Sequence, residues 1–468
     1  MTEILYYIEK ANNIINSIVW GSPMLAFFII IGLYFSVKLK FFQVTKIKLW
    51  LQKTVGSLFS KSHNKSKNGI SPFEAAMTVL AGAIGTGNVV GVATAIALGG
   101  PGAIFWMWVA SILGMMTIFA ENILGVKYRK QSSNGEFVGG PMYYIEKGLK
   151  CKWLAIIFSI MCIFASFGIG NMTQINAIAV SMQTYFNVPP ILTGVIVAVI
   201  VGAVIFGGLN RIASVTSKIV PFMAIFYVVG GLVVIIFNHE KIPYALSEIF
   251  KGAFGINSVC AGSAGYLAKD AIKYGIARGF FSNEAGLGSS PMVHASANTD
   301  DPIVQGMWGI FQVFVDTIVV CSITALCILT TGVHTQIQDG AMMSVSAFSC
   351  VFGNFGEIFV SLSIVMFAFA TLISWAFYGE RSVEYISSKN NIVIYRSVYL
   401  IVILFGAVME LNLVWSISDT FNALMAIPNL VAVVFLSKEV INSTKSKYFA
   451  STKNKTKAAV TKPKPYLQ

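Results

Sequence analysis

SPFEAAMTVLAGAIGTGNVVGVATAIALGGPGAIFWMWVA, residues Ser71 to Ala110, decides how the rest of the chain is read. Two apolar segments meet at Gly99-Gly100-Pro101-Gly102, and the first is long enough for a helix across a bilayer, which takes about 20 residues. At its middle it carries Gly82, Gly85 and Gly87. Each glycine weakens a helix by roughly 1 kcal/mol relative to alanine. Unsatisfied backbone is tolerated at membrane depth only where protein buries it or a polar cavity receives it. A helix broken at Gly82–Asn88 frees N–H and C=O groups in mid-membrane, a place for a small zwitterion and a cation. The same glycines also suit close packing of one helix on another, so this stretch alone supports both readings.

The chain of 468 residues is 56% hydrophobic and 11% charged, against about 45–50% and about 25% in soluble domains. Polar surface is too scarce to cover a soluble globule, which leaves an all-α integral membrane protein. The formal net charge is +13, but its placement argues against nucleic acid as a partner. Eight lysines and no acid lie between Lys38 and Lys67, and more follow in the tail from Lys438. Both groups flank apolar spans, as cytoplasmic segments do, and anionic headgroups of the lipid bilayer are their expected partners. Cys151, Cys162, Cys260, Cys321, Cys327 and Cys350 show no metal-type spacing and read as small hydrophobes. The N-terminus has neither a basic region nor a small-residue cleavage site, so no removed signal peptide is expected.

Apolar runs predict eleven spans: 18–37, 72–98, 101–126, 153–186, 190–209, 218–237, 271–297, 305–329, 356–378, 392–408 and 415–436. Residues 238–268, rich in Gly and Ser, read as loop and re-entrant structure. The lysine-rich segments place the N-terminus outside and the C-terminus inside. Lys269, Lys273 and Arg278 are the misfit, since this topology puts them on the outer side. Without the first span, ten divide into five plus five of opposite orientation. The opening span of each half is interrupted, at Gly82–Asn88 and at Ser282–Gly288. Interrupted segments at matching positions of two halves point to a transport site, and a packing motif has no reason to recur there. The predicted units are residues 1–70 (first helix and basic loop), 71–237 (first repeat), 238–437 (connecting region and second repeat) and 438–468 (basic tail).

Gly85-Thr86-Gly87-Asn88 offers amides, a hydroxyl and a carboxamide. The half-helix starting near Asn88 turns its positive end to the break, which suits a carboxylate. Carbonyls released around Ala81 and Ile84 suit a hard cation such as Na+. Ser282, Asn283 and the backbone of residues 285–288 complete the chamber from the other half, reaching the substrate amine through carbonyls. Asn171 and Gln174 either reach the substrate or hydrogen-bond between helices. Thr371 and Ser374 share a helix face and either add oxygens to the cation or bond back to their own helix. Trp375 either packs or closes a small pocket. Asp316 lies mid-span and is functional or paired. Glu284 braces the second break or binds a cation. Glu121 and Glu380 sit near cytoplasmic ends, where solvation or Arg381 accounts for them. His239 and His294 read as loop histidines. No Ser/His/Asp set, paired catalytic carboxylates or Walker-type loop appears, so no enzyme is expected and any pumping draws on an ion gradient.

GGPGAIFWMW (99–108) resembles the signature of the alanine or glycine:cation symporters, also called the sodium:alanine symporter family. GGPMYYIEKGL (139–149), GGLNRIASVTSKIVPFMA (207–224), GFFSNEAGLGSSPMVHASA (279–297) and FVDTIVVCSITAL (314–326) resemble it in the same order. The resemblance implies a LeuT-type fold, a 5+5 inverted repeat with one extra N-terminal helix, in the plasma membrane. It implies Na+-coupled, or in some members H+-coupled, uptake of a small amino acid. By that likeness Gly85, Thr86 and Gly87 meet the carboxylate, and Gln174 and Trp375 shape the pocket. The cation site maps onto Ala81, Ile84, Thr371 and Ser374. A fainter likeness to sodium-coupled neurotransmitter-type symporters adds Asn88 as a second-cation ligand. The expected function is symport of alanine or glycine. The alternatives are proton coupling, with Asp316 and Glu284 as the candidate relays, a larger substrate such as glutamine, and, more distantly, a channel or solute sensor of the same architecture.

Overall fold

The computed structural model describes residues 2–59, 69–132, 135–255, 268–337, 339–387, 391–409 and 412–449. Cys260, residues 60–68 of the basic loop after the first span and the tail from residue 450 onward lie outside the described residues. Apart from a two-stranded ribbon pairing Lys130–Gln131 with Phe137–Val138 and a bridge between Ile70 and Ala297, the described secondary structure is helical.

Eight described helices are long and apolar enough to cross a bilayer: Glu9–Lys38, Gly102–Lys127, Lys152–Phe186, Gly208–Phe237, Pro302–Thr331, Asn354–Ile386, Asn391–Val408 and Trp415–Phe435. The other three expected spans fail on length for visible reasons. Two are cut by backbone breaks, and Pro190–Ile205 has 16 residues. The first helix is longer than the hydropathy suggested, because Thr2–Val19 runs into Ser22–Lys38 through a bend at Gly21, with Pro23 opening the second piece.

Composition by location agrees with a bilayer as solvent. Helix Pro190–Ile205 exposes Ile191, Leu192, Val195, Ile196, Val199 and Ile200, whereas Asn88, Asn171, Asn283 and Asp316 are fully buried. Lipid accepts the first set, and buried polar groups persist only with hydrogen-bond partners. Helix Gly102–Lys127 is the central strut, packed against Ala268–Asn283 and Pro302–Val313. The approach is close enough that a Cβ on Gly275 would lie 2.2 Å from the Ala103 carbonyl oxygen.

Residues 238–268 differ from expectation where they are described. A turn at His239–Lys241 leads into helix Ile242–Ala253, which buries Ala245, Ile249 and Ala253. That i, i+4, i+8 stripe seats it against Gly102–Lys127. The Gly- and Ser-rich residues that suggested a loop come after it, at 255–264. His294 is also not a loop residue. It ends helix Ser290–His294, is fully buried, and its Nδ1 lies 2.7 Å from Gln305 Oε1.

Candidate functional site

Helix Pro72–Ala83 starts firmly. Ser71 Oγ accepts the Glu74 amide at 3.1 Å, and Glu74 Oε2 accepts the Ser71 amide at 2.8 Å, a capping box with proline opening the helix. It stops at Ala83, where Ile84 swings to ψ 93° and Gly85 is extended. One 3-10 turn, Thr86–Asn88, precedes the next helix, Val90–Gly99. The first amides of such a turn have no partner within it. Asn88 Oδ1 takes one donor of the break, the Gly85 N–H, at 2.9 Å. The glycines also serve close packing. A Cβ on Gly82 would meet the Tyr378 hydroxyl at 2.8 Å, and one on Gly85 would meet Thr371 Oγ1 at 2.8 Å.

The second interruption separates helix Ala268–Asn283 from Ser290–His294. Glu284, Gly286 and Gly288 there have φ of 59°, 90° and 85°. Glycine adopts that region freely, while a glutamate pays of order 1–3 kcal/mol. The Glu284 carboxylate offsets this by accepting Ser289 Oγ at 2.5 Å and Trp375 Nε1 at 2.9 Å. It braces the break, one of the two roles expected of it.

Asp316 ties the two interruptions together. It lies in a π-helical stretch, Phe314–Cys321, inside the span Pro302–Thr331; such bulges recur at functional positions. Its Oδ1 accepts Asn88 Nδ2 at 2.7 Å, and its Oδ2 accepts Ser282 Oγ at 3.0 Å and Thr317 Oγ1 at 2.7 Å. None of the ion pairs among the described residues involves it. One buried carboxylate thus joins Asn88 of the first break to Ser282 of the second.

Between the breaks lies a tight cavity of about 20 Å³, room for about one water molecule. Gly85, Thr86, Gly87, Gln174, Ser282, Trp375 and Thr371 line it, all expected at the site. Gln174 Nε2 donates to the Ile169 carbonyl at 3.0 Å, and its Oε1 accepts Thr86 Oγ1 at 3.4 Å. Trp375 packs over Gly170, where a Cβ would approach within 2.3 Å. Phe281, Glu284, Ile169 and Asn422 also line the cavity. Of these, the sequence singled out only Glu284 as a polar residue of the break. Asn171 and Asn176 are helix ties, donating to Tyr399 and Met409 carbonyls at 2.8 and 3.1 Å.

The expected cation ligands divide. Thr371 Oγ1 donates to the Ala81 carbonyl at 3.1 Å, so those two oxygens are adjacent. Ser374 Oγ instead donates to the Thr78 carbonyl at 2.6 Å. The Thr78 carbonyl, one turn before Gly82, was not expected there, because a carbonyl inside a regular helix is ordinarily taken by the amide four residues on. Ile84 marks where the helix ends. Asn88 is apart from this cluster, held by Asp316.

Two acids differ from expectation. Glu121 is fully buried rather than solvated, and Asn429 Nδ2 donates to it while Tyr144 donates to Asn429. Glu380 accepts Arg396 Nε at 2.8 Å, whereas Arg381 pairs with Glu384. Asn429 is 308 residues from Glu121, and Arg396 is 16 residues from Glu380, on the next helix.

The chain as a whole has counterparts among known proteins. The sodium:alanine symporter family model matches residues 5–462. The chain is 44% identical over 449 residues to an uncharacterized transporter of Haemophilus influenzae, covering 95% of this chain and 97% of that one. It is 42% identical over 443 residues to the sodium/alanine symporter AgcS of Methanococcus maripaludis, covering 93% and 96%. A Bacillus subtilis protein named "Probable sodium/glutamine symporter GlnT" is 38% identical over 441 residues, covering 94% and 90%. Among solved structures, a manganese transporter of Eremococcus coleocola aligns with a TM-score of 0.51 at 13% identity, covering 86% of this chain and 95% of that one; this is a likeness of fold alone. This multi-pass protein of the cell membrane therefore belongs to the sodium:alanine symporter family of cation-coupled amino-acid transporters.

Proposed function

We propose that the chain couples Na+ entry to uptake of a small neutral amino acid, alanine or glycine, by alternating access around the cavity between the two breaks. The fold in this reading is a LeuT-type 5+5 inverted repeat, residues 71–237 and 238–437, preceded by one extra helix, with eleven crossings, the N-terminus outside and the C-terminus inside. Its basic segments rest on anionic headgroups. The observation that carries the reading is the pair of interrupted helices facing one cavity and held to each other by Asp316.

The substrate carboxylate meets the amides of Gly85, Thr86 and Gly87, where the short helix turns its positive end to the cavity. Gln174, Ser282 and Trp375 complete the walls, and the indole limits side-chain size. Na+ sits among the Ala81 and Ile84 carbonyls and the Thr371 and Ser374 hydroxyls, the oxygen-only surroundings that a hard cation takes. A second cation draws on Asn88, Ser282 and Asp316. Coupling follows because the cation fixes the same few residues whose amides hold the carboxylate. Each ligand then tightens the other by an equal factor.

Na+-driven accumulation of labelled alanine in proteoliposomes tests the proposal. Accumulation under an inward Na+ gradient at equal pH supports it. Accumulation driven by a pH gradient without Na+ favours proton coupling instead, for which the Glu284 carboxylate on the cavity wall is the candidate. Equilibration without accumulation would mark a channel, and binding without uptake a sensor. Stronger competition by glutamine than by alanine would mark the larger substrate named for the Bacillus relative.

A further inference from the structure

Asn422 is on the last long helix, Asn412–Phe435, which contributes no residue to the substrate and cation sites proposed above. Its side chain is 2% exposed and lines the central cavity, and its Oδ1 has no hydrogen-bond partner among the described residues. Leaving a buried carbonyl oxygen unpaired costs about 1–3 kcal/mol, and native structures keep few such groups without a reason. The neighbouring side-chain acceptors each already hold a donor, which leaves Asn422 Oδ1 as the wholly unpaired one among the described residues lining the cavity. Glu284 takes Ser289 and Trp375, and Gln174 Oε1 takes Thr86. The break supplies donors for an anion, so the opposite need is an acceptor for a cationic group.

We propose that Asn422 Oδ1 accepts a hydrogen bond from the α-ammonium group of the transported amino acid, making the last helix part of the substrate site. This rests on the amino-acid reading of the cavity. The placement also gives that helix two connections. Asp419, three residues earlier, lies on the separate outer-facing cavity with Lys273 and Arg278, and Phe281 borders both cavities. Asn16 and Trp20 of the first helix hold the intervening turn, through Thr420 Oγ1 at 3.0 Å and the Asp419 carbonyl at 3.2 Å. A residue that senses the ammonium is therefore one turn from the wall of the outer cavity.

The test compares wild type with Asn422→Leu, Asn422→Asp and Asn422→Ser in alanine uptake by proteoliposomes. The readouts are the alanine KM and the Na+ concentration for half-maximal uptake at saturating alanine. Loss of one hydrogen bond to a charged group predicts an alanine KM raised roughly tenfold or more in N422L, with Na+ half-saturation unchanged. N422D, which keeps the acceptor, retains a KM near wild type. If N422L does not fold, N422S carries the same expectation of loss. An N422L or N422S KM within twofold of wild type would overturn the proposal, as would equal losses in N422D and N422L. Wild type failing to accumulate alanine would defeat the symport reading instead. Alanine-induced thermal stabilisation of the same variants then decides the role of Asn422 independently, and loss of that stabilisation in N422L but not N422D is the result expected.

Discussion

Asp316→Asn separates the stability of the molecule from its coupling. In wild type the carboxylate accepts Asn88 Nδ2 at 2.7 Å and Ser282 Oγ at 3.0 Å, one from each break. Asparagine keeps the shape, but one oxygen becomes a donor and the charge is gone. The serine hydroxyl can turn to accept from the new amide, so both contacts survive as neutral hydrogen bonds. Charge-assisted bonds are roughly twice as strong as neutral ones, a difference of about 1 kcal/mol each. Two bonds crossing between the breaks thus lose about 2 kcal/mol, roughly 30-fold in the equilibrium that holds them together. Removing an ionised group from a fully buried position also relieves a desolvation cost of several kcal/mol. Thermal unfolding of D316N should therefore be unchanged or raised, while the alanine KM and the Na+ half-saturation in proteoliposomes rise by about 10- to 30-fold. Asp316→Ala, which leaves Asn88 and Ser282 without their acceptor, should lose both stability and transport. A D316N protein with KM and Na+ dependence within twofold of wild type would refute the clamp. A D316N protein that is simply less stable would refute the assignment of the carboxylate to coupling.

Thr371→Val removes the hydroxyl that reaches the Ala81 carbonyl at 3.1 Å; Na+ half-saturation should rise about tenfold, the loss of one polar ligand, with little change in alanine KM once Na+ saturates. Gly85→Ala sets a methyl 2.8 Å from Thr371 Oγ1, which either moves that hydroxyl or the break; initial uptake rates should fall by more than about tenfold, since overpacking costs typically 1–3 kcal/mol. Ser71→Ala deletes the helix cap and should lower stability by about 1 kcal/mol, read as an earlier thermal transition, with alanine KM unchanged.

Both interruptions were legible because their residues are locally improbable in a membrane helix. Gly82, Gly85 and Gly87 weaken one, and Glu284, Gly286 and Gly288 sit at positive φ in the other. Most long spans were legible from apolar length alone. The partners of the buried acids were not, since they come from far along the chain. Asn88 meets Asp316 across 228 residues, and Glu121 meets Asn429 across 308. Glu121 near a span end therefore looked solvated, when it is the second half of the chain that encloses it. Asn422 carried only a weak signal, one of two asparagines in the apolar run FNALMAIPNL, a pattern that more often ties two helices together. Helix Ile242–Ala253 was missed because a three-residue stripe of buried positions is too short a periodicity to stand against the Gly- and Ser-rich stretch after it.

The most direct measurement is binding of labelled alanine to the purified protein in NaCl and in choline chloride at one ionic strength and pH. A cation that fixes the first break, whose amides hold the substrate carboxylate, predicts a single saturable alanine site whose affinity is at least about tenfold tighter in Na+. Equal affinity in the two salts would contradict the account.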